Sequence, residues 1–213
     1  MLTLISQRVV DLGFRKGDAL EQSYSSYFSK LGFTLLPVPN KIENLDTYFG
    51  LPVKRVILTG GGDINPELYG EKITDEDVSK ERDDTERQLL EYAIKNQIPV
   101  LGVCRGMQFI NVYFGGKIKK IDRTKHVNTT HGVTIDNRVF PVNSFHGYGI
   151  TRGLLSPKLK VFAVSEDEVI EGIYHTTLPI VGIEWHPERD SPNTEVNDNI
   201  VSDFYDKKGY FKK

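Results

Sequence analysis

The sequence predicts an α/β fold: a mostly parallel sheet covered by helices on both faces, with a small antiparallel extension. Three observations predict it. Short apolar runs of strand length lie at Leu2 to Ser6, Phe33 to Pro37, Val56 to Thr59 and Ile98 to Leu101. Stretches with helical spacing separate them, the order that buries a parallel sheet on both faces. After Gly116 the texture changes to short strands broken by glycine or polar residues.

Each element follows from local chemistry. Ala19 to Leu31 reads as a helix with Tyr24, Tyr27 and Phe28 as packing residues, closed by Gly32. The third apolar run ends abruptly in Gly60-Gly61-Gly62-Asp63. Glu71 to Arg87 is densely charged and reads as a solvated loop and an exposed helix start. Asp83 with Glu86 three residues on resembles a capping box, and the helix then runs to about Asn96. Leu89, Leu90, Ala93 and Ile94 give it a core-facing stripe. Pro99 opens the strand that leads to Cys104, and Met107 to Phe114 reads as the next helix, ended by Gly115-Gly116. Strands are expected over His131 to Ile135, Val139 to Asn143, Lys160 to Ser165, Val169 to His175 and Ile180 to Trp185, the last returning to the sheet. The tail from Ser191 is polar, with Ile200, Phe204 and Tyr205 in a short closing helix.

Composition bounds the function. A chain of 213 residues suits one domain, 1–213, built as a three-layer sandwich, and can bury a substantial core. Charged residues make up 26% and hydrophobic residues 38%, ordinary for a globular protein. The net charge of −2 offers no electrostatic case for nucleic acid or an anionic membrane. The single cysteine excludes an internal disulfide and suits a reducing compartment. No apolar stretch approaches the roughly 20 residues that span a bilayer. The first residues lack a basic region and a long apolar run, so no signal peptide is expected and a cytoplasmic location is.

The chemistry concentrates in Gly102-Val103-Cys104-Arg105-Gly106-Met107-Gln108. A glycine on each side permits a sharp strand-to-helix turn, where a Cβ would crowd the backbone. That is the logic of a nucleophile elbow with sulfur in place of the serine oxygen. The helix that follows aims its N-terminal N–H groups at the sulfur and favours thiolate. A buried core cysteine is the common alternative. It weakens because Gly182-Ile183-Glu184-Trp185-His186-Pro187-Glu188 offers an imidazole at a strand end with a carboxylate two residues on to orient it. The glycine run Gly60-Gly61-Gly62 lacks the Gly-Lys-Ser/Thr ending of a phosphate loop and the third glycine of a dinucleotide fingerprint. It suits an oxyanion hole, with the Gly62 and Arg105 N–H groups converging on a developing negative oxygen. Val142-Asn143-Ser144-Phe145-His146-Gly147 reads equally as a loop or as a supplier of polar groups to a pocket. His126 and His131 lie close in sequence but lack ligand spacing and cysteine company, so no metal site is expected.

Together these segments resemble the class I glutamine amidotransferase superfamily, a flavodoxin-like three-layer fold, and most of all its γ-glutamyl-γ-aminobutyrate hydrolase branch, peptidase family C26. The resemblance runs from Ser6-Gln7-Arg8 to Trp185-His186-Pro187-Glu188. It rests on Gly102, Cys104, Gly106 and Gln108, on His186, Pro187 and Glu188, on the glycine loop with Leu68-Tyr69-Gly70, and on Asn143, Ser144 and His146. It implies a triad of Cys104 as nucleophile, His186 as base and then acid, and Glu188 as orienter. It further implies a γ-glutamyl thioester hydrolysed by water, with no metal or organic cofactor. Gln108 and the backbone around Ser144 and Phe145 would hold the glutamyl amino and carboxylate groups. Arg105 favours the hydrolases, since ammonia-delivering enzymes usually carry leucine after the nucleophile. Gly147 and Tyr148 depart from the second histidine and glutamine usual in the branch, so part of the leaving-group pocket differs. The short chain further resembles γ-glutamyl-CDP-amidate hydrolases of bacterial capsule phosphoramidate synthesis. Arg8, Arg15 and Lys16 are candidates to face a diphosphate, and a solvated surface accounts for them equally well. The expected partner is a small γ-glutamyl substrate, with an oligomer left open. The rival expectations are a glutaminase chain passing ammonia to a synthase and a non-catalytic γ-glutamyl-binding module.

Overall fold

A computed structural model describes residues 1–72, 77–192 and 194–206. In chain order the elements are β1 (Leu2–Ser6), β2 (Arg8–Asp11), β3 (Lys16–Ala19), α1 (Gln22–Lys30), β4 (Thr34–Val38), α2 (Asp46–Phe49), β5 (Arg55–Leu58), α3 (Lys80–Lys95), β6 (Val100–Val103) and α4 (Arg105–Tyr113). There follow β7 (Lys119–Lys120), α5 (Arg123–His126), β8 (Val127–Ile135), β9 (Arg138–Phe145), β10 (Tyr148–Gly149), β11 (Leu159–Ser165), β12 (Ile170–His175), β13 (Ile180–Ile183) and α6 (Thr194–Asp206). One sheet of nine strands has the order β4-β1-β5-β6-β13-β12-β11-β8-β9. Its first five strands are parallel, and the other four pair antiparallel. The α/β class and the antiparallel extension expected from the sequence are both present.

Side-chain alternation along the strands builds two cores. In β5, Val56 and Leu58 face α3 and α4 together with Leu89, Leu90, Phe109 and Ile110. Ile57 faces the other way, onto Tyr24 and Phe28 of α1 and Ile200 and Phe204 of α6. The near-continuous apolar runs of the parallel strands follow from burial on both faces.

Several expectations are corrected. Ala19 does not open α1, which starts at Gln22; it ends β3, which pairs antiparallel with Arg8–Asp11 in a hairpin. Alternation over so few residues is too short to register as a strand pattern. Asp83 and Glu86 do not form a capping box. The N-cap is Ser79, whose hydroxyl accepts from the Arg82 N–H at 3.3 Å. The charged stretch is not merely a solvated surface, because Arg82, Asp83 and Glu86 are buried; its residues 73–76 lie outside the described residues. The helix after the cysteine starts at Arg105, two residues earlier than the pattern suggests. The segment around Asn143 to Phe145 is the end of β9 rather than a loop. It pairs with β8 across a two-residue turn, Asp136-Asn137, both at positive φ. Ile200 and Phe204 are buried on α6, while the side chain of Tyr205 lies outside the described residues. Among the described residues no helix is long and apolar enough to cross a membrane.

Candidate active site

The site forms where β6 and β13 leave the sheet side by side. Their parallel register pairs Val103 with Ile183, and the Cys104 N–H donates to the Ile183 carbonyl at 2.8 Å. Cys104 then turns the chain at φ 51 and ψ −110, a backbone state costing about 1–3 kcal/mol for a non-glycine residue. Its neighbours explain how the turn closes. A Cβ on Gly106 would stand 2.2 Å from the Leu58 carbonyl oxygen, and one on Gly102 would stand 2.7 Å from the Gly106 backbone. Both glycines serve close approach, as the sequence suggested.

His186 meets the cysteine against the first glycine of the Gly60 loop. A Cβ placed on Gly60 would lie 3.3 Å from Cys104 Cβ and 3.4 Å from His186 Nε2. On the far side of the ring, His186 Nδ1 and Glu188 Oε1 are 2.6 Å apart. That contact turns Nε2 toward the cysteine. Asn143 pins the segment: its Oδ1 accepts from the His186 N–H at 2.9 Å, and its Nδ2 donates to the carbonyls of His186 (2.8 Å) and Asp190 (2.9 Å).

Burial pushes the Cys104 thiol far above its ordinary range; Glu184 adds to the effect, and the Arg105 N–H opposes it. The expectation that the helix end favours thiolate is therefore corrected, because desolvation of a residue only 6% exposed outweighs it.

The two groups expected to form an oxyanion hole lie in different surroundings. The Arg105 N–H reaches the cysteine. Gly62 instead sits against Asp77, and the glycine facing Cys104 and His186 is Gly60. The Gly60 N–H donates to the Tyr24 hydroxyl at 3.0 Å. A buried ion network sets the loop. Arg82 donates to the carbonyls of Thr59 (2.7 Å), Gly60 (3.1 Å) and Gly61 (2.5 Å), and to Glu86 at 2.9 Å. Glu86 also accepts from Arg105 at 2.5 Å and from Ser6 at 2.8 Å, and Arg105 pairs with Asp83 as well. Burial alone would raise the Glu86 carboxyl, but Arg105 and Arg82 hold it below its usual range. The glycine loop and Arg105, the residue after Cys104, thus share one buried anchor.

The remaining candidates divide. The Phe145 ring stands edge-on to His186 at 5.7 Å and lies under the Arg189 guanidinium at 4.6 Å. Ser144 is buried, and its hydroxyl donates to the His126 carbonyl at 2.7 Å. Gln108 donates to the Tyr148 carbonyl at 3.1 Å and to Glu184. His146 turns inward, its Nδ1 2.8 Å from the Tyr148 carbonyl and its Nε2 3.6 Å from Glu171. Burial lowers it to about 3. Arg8 approaches the glycine loop, within 3.2 Å of a Cβ on Gly61. Arg15 lies over Phe14 and Lys16 pairs with Glu81 at 3.5 Å, both on the hairpin. The reason for setting His126 and His131 aside does not hold in the fold: their ring centroids are 4.8 Å apart, and His146 and Glu171 join them. Ligand spacing is a signal of local sites, and this group is assembled across strands.

Sequence reasoning missed Tyr24, Arg82, Glu86, Glu184 and Arg189. Tyr24 was legible only as an aromatic packing residue, and Arg82 and Glu86 only as members of a charged run. Glu184 is fully buried, and its carboxyl is raised first by burial, then by Glu171, against a hydrogen bond from Gln108.

A parallel sheet that delivers a cysteine, a histidine and a carboxylate to one edge defines a class: α/β folds with a Cys-His-Glu constellation. The sequence matches the Peptidase C26 family over residues 12–188. It is 33% identical to the γ-glutamyl-CDP-amidate hydrolase of Campylobacter jejuni, across 88% of this chain and 90% of that protein. It is 32% identical to a glutamine amidotransferase-like protein of Lactococcus lactis, across 78% of this chain and 79% of the other. The fold is shared with a glutamine amidotransferase from Thermotoga maritima, at 20% identity and a TM-score of 0.61 over 97% of this chain and 84% of that one. The chain belongs to the Peptidase C26 family and is a glutamine amidotransferase-like hydrolase.

Proposed function

We infer that the chain hydrolyses a γ-glutamyl amide through a γ-glutamyl thioester on Cys104, releasing L-glutamate and an amine or amidate. The observation that carries this reading is the meeting of Cys104 and His186 at Gly60, with Glu188 on the far side of the imidazole. His186 Nε2 takes the thiol proton as sulfur attacks the γ-carbonyl carbon. Negative charge gathers on the carbonyl oxygen beside the Arg105 N–H and the glycine loop. The imidazolium returns the proton to the leaving nitrogen, and the C–N bond breaks. Water then gives its proton to His186 and attacks the thioester, the C–S bond breaks, and the thiol is restored. Phe145 and the Gln108 region bound the glutamyl pocket.

For the substrate we take γ-glutamyl-CDP-amidate, a molecule of bacterial capsule phosphoramidate synthesis. The Campylobacter jejuni relative supports this choice, as does Arg8, which stands at the glycine loop where an anionic leaving group would need a cation. The test is glutamate release from glutamine, γ-glutamyl-γ-aminobutyrate and γ-glutamyl-CDP-amidate, with wild type and Cys104→Ala. The nucleotide amidate is expected to be cleaved fastest, and Cys104→Ala to lose at least about 10³-fold in turnover. Undiminished turnover in that variant would remove the thioester mechanism. Glutamine cleaved faster than both substituted amides would point to a glutaminase instead.

A further inference from the structure

Three imidazoles and a carboxylate meet where the antiparallel strands join the parallel ones, with His146 Nδ1 3.3 Å from Glu184. His126 ends α5, His131 lies in β8, His146 follows β9 and Glu171 lies in β12. One ligand-type atom from each falls within 4.8 Å of all the others. Glu171 Oε1 is 3.5 Å from His126 Nδ1, 3.8 Å from His131 Nε2 and 3.6 Å from His146 Nε2. Ligands bound at about 2.0–2.2 Å to a tetrahedral zinc stand roughly 3.3–3.6 Å apart. The distances to Glu171 nearly meet that spacing, and the widest pair must close by roughly 1 Å.

The hydrogen bonding shows which way the rings face. His146 Nδ1 lies 2.8 Å from the Tyr148 carbonyl, which only accepts, so the ring proton is on Nδ1 and the Nε2 lone pair points inward. His126 Nε2 lies 3.1 and 3.2 Å from the Asp167 carboxylate, so its inward Nδ1 is again a lone pair. His131 hydrogen-bonds the Gly132 backbone. Among the described residues the inward atoms His126 Nδ1, His131 Nε2, His146 Nε2 and both Glu171 oxygens have no hydrogen-bond partner. Lone pairs facing the Glu171 carboxyl, with His126 and Glu171 1% and 0% exposed, are costly unless a proton or a metal cation stands between them. The outer contacts of His126 and His146 are those that orient metal-binding histidines. A cleft of about 430 Å³ lined by Lys125, His126, His131, Ser165 and Asp167 adjoins the group and gives an entry path.

We propose that His126, His131, His146 and Glu171 bind a divalent transition metal, zinc by ligand type, in a closed four-ligand structural site. Three imidazoles and one carboxylate form a borderline N/O set suited to zinc. Four protein ligands leave no open position, the pattern of structural rather than catalytic zinc. The ion ties α5, β8 and β12 to the end of β9, and so fixes the segment that carries Asn143 and Phe145 against His186. Nothing in this depends on the γ-glutamyl reading, because the readout is the metal itself.

The test uses the full chain purified after growth with zinc, its metal content measured by mass spectrometry. One zinc per chain is expected. After chelation, titration with zinc should give one site, and cobalt should give the visible absorption of a tetrahedral N/O centre. Asp167→Asn keeps all four ligands and should weaken zinc binding about 10–100-fold. His131→Ala should abolish stoichiometric binding. A chain that carries no zinc and binds none on titration overturns the proposal. So does a folded His131→Ala that keeps full zinc content. Should His131→Ala not fold, unchanged zinc affinity in Asp167→Asn overturns it equally.

Discussion

At the scale of single residues the proposed chemistry turns on one ring held from three sides. Asn143 clamps the backbone of His186, Glu188 fixes its Nδ1, and Gly60 leaves room for Nε2 and Cys104 to meet. Glu188→Gln keeps the size of the side chain but can present an amide N–H to Nδ1 and so favour the wrong tautomer. Steady-state kinetics should show kcat reduced by about 10²–10⁴-fold with KM little changed, as for other triad orienters. An unaltered kcat would show that Glu188 does not orient the ring. The cysteine carries its own prediction. Because burial raises the thiol, the thiolate fraction should grow about tenfold per pH unit across the neutral range. Alkylation of Cys104 by iodoacetamide should therefore accelerate from pH 6 to pH 9 without levelling off. A plateau below pH 8 would mean that a stable thiolate already exists at rest.

At the scale of elements, the elbow is a packing solution as much as a chemical one. α4 begins at the residue after Cys104, and its first turn lies directly on β5. Gly106 makes this possible, since any Cβ there would strike the Leu58 carbonyl. Gly106→Ala should lower stability by about 1–3 kcal/mol or more, read by calorimetry, and reduce turnover by moving Cys104. Wild-type stability in that variant would show that α4 can shift freely. α3 plays a part that its sequence disguised. Its charged first turns do not face water; they carry Arg82, Asp83 and Glu86 inward to hold the glycine loop and Arg105 together. A run of mixed charge reads as solvated because most such runs are. Only the packing of α3 against β5 and α4 tells the two cases apart.

At the scale of the whole molecule, five parallel strands lie between two apolar layers while, among the described residues, β2 and β3 form a separate two-stranded sheet. Amide hydrogen exchange should be slowest in β5, β6 and β13 and fast in the β2–β3 hairpin. Equal protection in the two regions would show that the hairpin is locked to the body of the fold. The strands expected to exchange slowest are those that lead to Cys104, His186 and the glycine loop. The antiparallel half hangs from β13 through β12 and brings Asn143 and Phe145 back to the same edge.

Hydrophobic periodicity and turn residues are local properties of the chain, so they were readable along it. From them came the parallel strands, the bend at Cys104 with its two glycines, and the short spacing from His186 to Glu188. The meeting of Cys104 with His186, the approach of Gly60 to both, the inward turn of Arg82 and Glu86, and the gathering of His126, His131, His146 and Glu171 join residues far apart in sequence. No local pattern encodes such neighbours. Sheet order and helix packing bring them together, and burial then decides which groups stay neutral, which pair, and which are left facing one another.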